Sequence, residues 1–344
     1  MKALVWSRDE SIEKVDNLPE PSIRSSELLV RVKAAGVCIT DIHMIRGELN
    51  FAEPPWILGH EISGVVERTG SDVQGWKPGD RVVVDPVVAC GHCKSCLTGK
   101  KYWCEEGGEL GTTRGSGGYG ELIVVKADNL YRMPAAMSFA EGAMMEPLNC
   151  TLGAIERVLS LVGANVIVFG SGPAGLLFVQ LAKAYGAATV TLIGKEDYRL
   201  ALGSRLGADV TVCLNSESLE TLGDNQYDVA IEASGNPQAV EDCFHFVSRS
   251  GTVVLYGLHG SGEKTIDSDR IVGKDLTVVT CISAPLLWDK GLRLVSAGKI
   301  DLGSMISHHV SFDQAENVLG QIVGGTLQHY TKAMIHYAGE GEKR

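Results

Sequence analysis

No apolar run in this chain reaches the length needed to cross a bilayer, and there is no internal repeat or low-complexity segment. A membrane span is therefore not expected. Basic residues are in the minority: 31 Lys and Arg against 42 Asp and Glu give a formal net charge of −11. That sign argues against nucleic acid as a partner, since binding a phosphate backbone needs clustered Lys and Arg. Local pairs such as Lys100-Lys101 read as solvated surface. The first residues start like a strand rather than as a basic segment before a long apolar core, so no signal peptide is expected and the cytoplasm is the expected compartment. There the nine cysteines stay reduced, and their spacing is read as metal or core chemistry rather than disulfides.

What is present is a chain of 344 residues, beyond the usual limit of one core, with 44% hydrophobic and 21% charged residues. Two folded domains are expected. Over 1–152 the pattern is short strands (28–33, 62–67, 81–85, 122–126) broken by Gly and Pro, which predicts a mostly antiparallel β domain. Over 153–287 strands at 166–169, 189–193, 209–213, 228–232, 252–256 and 276–282 alternate with helical segments, which predicts a doubly wound parallel sheet. A helix near 288–297 then leads to a last β run at 332–337, and 288–344 is expected to rejoin the first domain. Residues 339–344 read as a frayed end. The fold class is α/β.

The stretch 165–187 organises the second domain. A β-branched run ends at Gly170-Ser171-Gly172-Pro173-Ala174-Gly175, and an apolar helix follows. Gly170 permits the turn, Gly172 lets backbone N–H groups approach a pyrophosphate, and Gly175 lets helix and strand pack closely. This predicts dinucleotide binding.

Two groups of residues read as metal sites. Cys90, Cys93, Cys96 and Cys104 stand at C-x2-C-x2-C-x7-C, and four thiolates on one short lobe close a tetrahedral zinc shell with no position left for water. The same count could serve an iron–sulfur cluster, but no Pro follows the last cysteine. His92 reads as a loop residue. The second group is dispersed: Cys38, then His60-Glu61, then Glu146. One thiol, one imidazole and two carboxylates are the mixture of a catalytic zinc with an exchangeable position, but spacing alone does not join them.

The residues 36–43 (GVCITDIH), Gly59-His60-Glu61, the 90–104 lobe, Glu146-Pro147 and 170–175 stand in the order seen in zinc-dependent medium-chain alcohol dehydrogenases, and the chain resembles that family over essentially its whole length. It looks most like the polyol branch of sorbitol dehydrogenases, with L-threonine 3-dehydrogenases close by. The resemblance implies a GroES-like catalytic domain (1–152 and 288–344), a Rossmann nucleotide domain (153–287), and one catalytic and one structural zinc. By position it implies Cys38 and His60 as catalytic metal ligands, with Glu61 and Glu146 sharing the remaining roles, as ligand or as holder of the zinc water. Thr40 would accept the substrate hydroxyl proton and His43 would pass it outward through the cofactor ribose. Ile39 departs from the glycine of many relatives, and 149–152 departs from the segment associated with threonine dehydrogenases. A dimer or tetramer is also implied.

The second strand of the nucleotide domain ends in Gly194-Lys195-Glu196-Asp197-Tyr198-Arg199 rather than in an acid placed to hold a ribose. Gly194 leaves room for a 2′-phosphate, and Lys195 with Arg199 can neutralise it, so NADP is favoured over NAD. The counter-reading gives Glu196 or Asp197 to a plain ribose. Later strands end at Ser234 and at Gly257-Leu258, on the side of the sheet where ligands bind. Ile282 and Ser283 would pass the nicotinamide by family analogy. The expected substrate is a small polyol or sugar, with threonine and simple secondary alcohols as rivals; Glu109, Arg114, His308 and His309 are candidates to line its pocket.

Overall fold

The structure, a computed structural model, describes residues 1–7, 11–258, 266–284 and 286–337; the expected frayed end at 339–344 lies outside them. Two compact units are present. One comprises Met1–Glu146, Trp288–Leu292 and the chain from Leu302 onward, and the other Pro147–Leu287 with Arg293–Asp301.

The first unit is built on the strand Glu27–Gly36, which lies at the centre of a seven-stranded sheet. Its sequence ELLVRVKAAG places Leu28, Val30, Val32 and Ala34 in the core while Arg31 and Lys33 face outward, the period-2 pattern of a strand. Glu61–Thr69 pairs along one side; Leu122–Lys126 and Ala333–His336 share the other. All these pairs are antiparallel, as are Arg81–Val84 and Leu130–Arg132 further along, while His308–Ser311 joins parallel at the far edge. Arg31 forks onto Glu67 of the neighbouring strand with two contacts of 2.9 Å. The helix Phe312–Val323 lays Phe312, Ala315, Leu319 and Ile322 on the core, a stripe at helical spacing.

The second unit carries six parallel strands. Numbered along the chain from Asn165–Phe169, their order is 3-2-1-4-5-6, the doubly wound arrangement. The first strand reads NVIVF and is buried on both faces, as a parallel strand between helices must be. The helix Pro173–Ala184 follows with Gly172 at its N-cap and Pro173 in its first turn, where the missing N–H costs nothing. Pattern reading placed these strands within a residue or two at most ends. Thr40 and His43, for which the pattern predicts no element, lie on the helix Ile39–Ile45.

Candidate active site

The strand Glu27–Gly36, the helix Ile39–Ile45 and the start of Glu61–Thr69 converge at one point. Ligand atoms of Cys38, His60 and Glu61 lie within 4.8 Å of one another, although 22 residues separate the first two in sequence. His60 and Glu61 are 4% and 1% exposed. An ideal Cβ on Gly36 would stand 1.8 Å from Glu61 Oε2, so glycine is what admits this carboxylate.

The surroundings are anionic. Asp41, fully buried, accepts from the backbone N–H of Cys38 (3.1 Å) and of Gly59 (3.2 Å) and from the Tyr119 hydroxyl (2.9 Å), while its Oδ1 lies 3.4 Å from His60 Nδ1. Burial opposes ionisation of Asp41, but the charge of His60 and these hydrogen bonds outweigh it and hold the carboxyl below its usual value. Burial likewise disfavours a charged His60, yet Asp41 and Cys38 hold its pKa well above normal. The cage thus draws positive charge to the imidazole, a role a metal cation fills once it displaces the proton. Glu61 Oε2 is buried without a hydrogen-bonding partner among the described residues, and a thiol, an imidazole and a carboxylate are ligands that zinc accepts. The donor set therefore fits the ion. Glu61 Oε1 accepts from Lys332 Nζ at 2.5 Å, and the lysine is only 2% exposed. Burial works against its charge, and Glu61 with Cys38 more than compensates, raising its pKa.

Thr40 lies two residues past Cys38, with Oγ1 3.6 Å from Cys38 Sγ. His43 is one turn further on the same helical face, its Nδ1 bonded to Glu48. Glu146 sits half-buried in the first turn of Met145–Ile155 and is not a member of the 4.8 Å group. Arg114 is bonded to the carbonyl of Glu106, and His308 Nδ1 to the Ser307 hydroxyl at 2.9 Å.

In the second candidate centre the sulfurs of Cys90, Cys93, Cys96 and Cys104 lie within 4.8 Å of one another. The N–H of Cys93 points to Cys90 Sγ and that of Cys90 to Cys104 Sγ, both at 3.3 Å. Backbone donors of His92 and Cys93 pull the Cys90 thiol down to about 6, whereas burial pushes Cys96 up to about 11. Donors aimed at sulfur favour the thiolates that a metal needs. His92 also falls within reach of Cys90 and Glu106, but both it and Glu106 are exposed.

At the nucleotide end, Gly170 has φ +114°, and an added Cβ would lie 2.7 Å from Ala233 O. At Gly175 a Cβ would lie 1.7 Å from Gly170 O, so the helix could not start this close to the strand with any other residue. Gly172 and Ala174 open the helix, and nothing crowds Gly172 within 4 Å. Gly194 has a local reason to be glycine: its Cβ would stand 2.3 Å from Ser171 Oγ. Space for a phosphate is not needed to explain it. Lys195 is exposed and Arg199 half-buried, but Glu196 and Asp197 beside them are exposed too. Ser234 and Gly257 both donate to the buried Glu232, while Leu258 and Ile282 are 70% and 63% exposed and Ser283 is half-buried. The roles of Asp41, Tyr119, Lys332 and Glu232 escaped pattern reading. Asp41 stands within 36–43 and Glu232 at the end of the strand expected at 228–232, but their partners Gly59, His60, Tyr119 and Gly257 are distant in sequence.

Residues 24–135 match the family model of the alcohol dehydrogenase GroES-like domain, and 173–297 that of zinc-binding dehydrogenases. The chain belongs to the zinc-binding alcohol dehydrogenase family, and it is an enzyme of the zinc-containing, NAD(P)-dependent alcohol and polyol dehydrogenase class. It is 30% identical over 327 residues to the sorbitol dehydrogenase of Bacillus subtilis, covering 93% of this chain and 92% of that one. It is 32% identical, also over 327 residues, to an L-threonine 3-dehydrogenase of Bacillus velezensis, covering 92% and 94%. A protein of Sinorhizobium meliloti 1021, solved as a zinc-binding dehydrogenase bound to NADP, superposes with a TM-score of 0.91 at 30% identity, covering 97% and 98%. No helix among the described residues is long and apolar enough to cross a membrane.

Proposed function

We propose that this enzyme oxidises a secondary hydroxyl of a polyol or sugar to the ketone, or runs the reverse, exchanging hydride with NADP. The observation that carries this reading is the convergence of Cys38, His60 and Glu61 at the start of the helix that presents Thr40 and His43. The first unit is then catalytic and the second holds the dinucleotide. Cys38, His60 and Glu61 would hold the catalytic zinc, with Glu146 outside that set as the exchanging carboxylate. Cys90, Cys93, Cys96 and Cys104 would hold a second, structural one. The catalytic ion supplies Lewis acidity, which lets an alcohol lose its proton near neutral pH.

The residues then divide the work. Thr40 accepts the hydroxyl proton, and His43, bonded to Glu48, passes it toward solvent. A nicotinamide dinucleotide held by the second unit would supply the hydride acceptor, so that loss of the carbon-bound hydrogen with its electron pair would leave the carbonyl. Asp41 fixes the imidazole of His60, and Lys332 restrains one oxygen of Glu61.

The polyol assignment is supported by Glu146-Pro147, where simple-alcohol members of the family place a cysteine-type ligand, and by the likeness to a sorbitol dehydrogenase. Threonine oxidation is the second reading, favoured by the L-threonine 3-dehydrogenase likeness. NADP rests on Lys195 and Arg199, at and just past the end of the second nucleotide-domain strand, and on the NADP-bound neighbour. A dimer or tetramer is proposed from the family resemblance, supported by the edge strand Thr277–Thr280, which among the described residues is paired on one side and where Val278 is 37% exposed.

Thr40→Ala tests the relay. Turnover should fall about 100-fold or more, the scale of general acid–base catalysis, with zinc content unchanged by elemental analysis. Equal turnover in the variant would remove Thr40 from the mechanism.

A further inference from the structure

The fourth strand of the nucleotide sheet, Tyr227–Glu232, ends on a carboxylate that is fully buried. Glu232 Oε1 accepts three hydrogen bonds, from Ser234 N–H (2.7 Å), Ser234 Oγ–H (2.7 Å) and Gly235 N–H (2.9 Å). Oε2 accepts a fourth from Gly257 N–H at 3.0 Å. One side chain therefore holds the turn after its own strand and the turn after the neighbouring strand, Val247–Leu255. The packing is close. A Cβ on Gly257 would stand 2.5 Å from both Glu232 Oε2 and Gly235 N, and one on Gly235 would stand 2.8 Å from Leu258 O. The same turn reaches the phosphate loop: Ala233 N–H donates to Phe169 O at 2.8 Å, and a Cβ on Gly170 would meet Ala233 O at 2.7 Å.

The ends of three strands, at Phe169, Glu232 and Leu255, thus meet on the side of the sheet where dinucleotides bind: the Glu232 carboxylate holds Ser234, Gly235 and Gly257, and the backbone of Ala233 carries that turn to Phe169. A buried charge is tolerated only when its lone pairs are satisfied, and here the donors are mostly backbone N–H groups of the turns themselves. The turns must keep this shape for the charge to stay buried.

We propose that Glu232 is a positioning residue for the cofactor: it clamps the 233–235 turn and Gly257 to each other beside the phosphate loop, which the backbone of Ala233 contacts, and so presets the dinucleotide cleft. It does not touch the reacting atoms. This rests on the reading that the second unit binds a nicotinamide dinucleotide.

Glu232→Gln discriminates sharply, because it preserves shape. An amide oriented with its oxygen toward Ser234 and Gly235 keeps three bonds but sets its NH₂ against the Gly257 N–H, so the side chain's hold on Gly257 is lost while the backbone bonds of Tyr256 N–H (3.0 Å) and Gly257 N–H (3.2 Å) to Glu232 O remain. The experiment is the dissociation constant of NADH and of NADPH for the zinc-loaded enzyme, read by cofactor fluorescence, with KM for the alcohol and kcat at saturating cofactor alongside. Cofactor binding should weaken about tenfold, equivalent to about 1.4 kcal/mol, while kcat, alcohol KM and zinc content stay within about twofold, well inside that tenfold step. Ser234→Ala, which removes only one of the four donors, should weaken cofactor binding in the same direction by less. Unchanged affinity in Glu232→Gln overturns the clamp, as does a fall in kcat with cofactor affinity intact. Should Glu232→Gln not fold, unchanged affinity in Ser234→Ala overturns it instead. Failure of the unmodified enzyme to bind either cofactor would instead remove the underlying reading.

Discussion

Burying an ammonium beside a carboxylate is tolerated only while both are present, and Lys332 and Glu61 are 2% and 1% exposed. Lys332→Met should leave Glu61 as an unpaired buried charge and cost about 3 kcal/mol, seen as a lowered midpoint of thermal unfolding in the zinc-free protein. An unchanged midpoint would show that the pair is not holding the site together. This lysine also shows why the site was only partly legible. Lys332 lies 271 residues from Glu61, and Tyr119 lies 78 residues from Asp41, so no local pattern could join them. The four cysteines at 90–104, by contrast, fall within one short lobe, and their spacing alone was enough to group them. Cys38 and His60 are intermediate: each is ordinary by itself, and only the family order of motifs linked them.

At the scale of elements, hydrophobic rhythm carried most of the information. The six strands of the second unit run apolar as their burial requires and were readable to within a residue or two at most ends, whereas in the first unit Ile12–Val15, Leu130–Arg132 and His308–Ser311 were not identified. The helices Ile39–Ile45 and Phe312–Val323 were not identified. The first is short and begins directly after a long strand, and the second belongs to a tail whose pattern read as mixed. Gly194 offers a sharper lesson, because its reason is a neighbour in space. Gly194→Ala should lower stability by about 1–3 kcal/mol from overpacking against Ser171, whichever cofactor is present, and Ser171→Gly in the same chain should relieve it. A selective loss of NADP with stability unchanged would return Gly194 to the phosphate. Lys195→Asp addresses the phosphate directly: the NADP-to-NAD preference in kcat/KM should reverse, and an unaltered ratio would count against Lys195.

The whole molecule is a dehydrogenase, and both of the proposed metal centres lie in the first unit, which predicts two zinc ions per chain. Elemental analysis should find both, and Cys104→Ser should lose one equivalent while Cys38 and His60 retain the other. A count of one in the unmodified protein would mean that one of the two clusters is not a zinc site. The most direct test follows reduced nicotinamide by absorbance while the zinc-loaded enzyme meets polyols, inositols, L-threonine and simple alcohols, each with NAD⁺ and NADP⁺. Turnover on a sugar alcohol, faster with NADP⁺ and abolished by Cys38→Ser, is the predicted result. Turnover confined to L-threonine, or none on any polyol by protein that binds both zinc and cofactor, would contradict it.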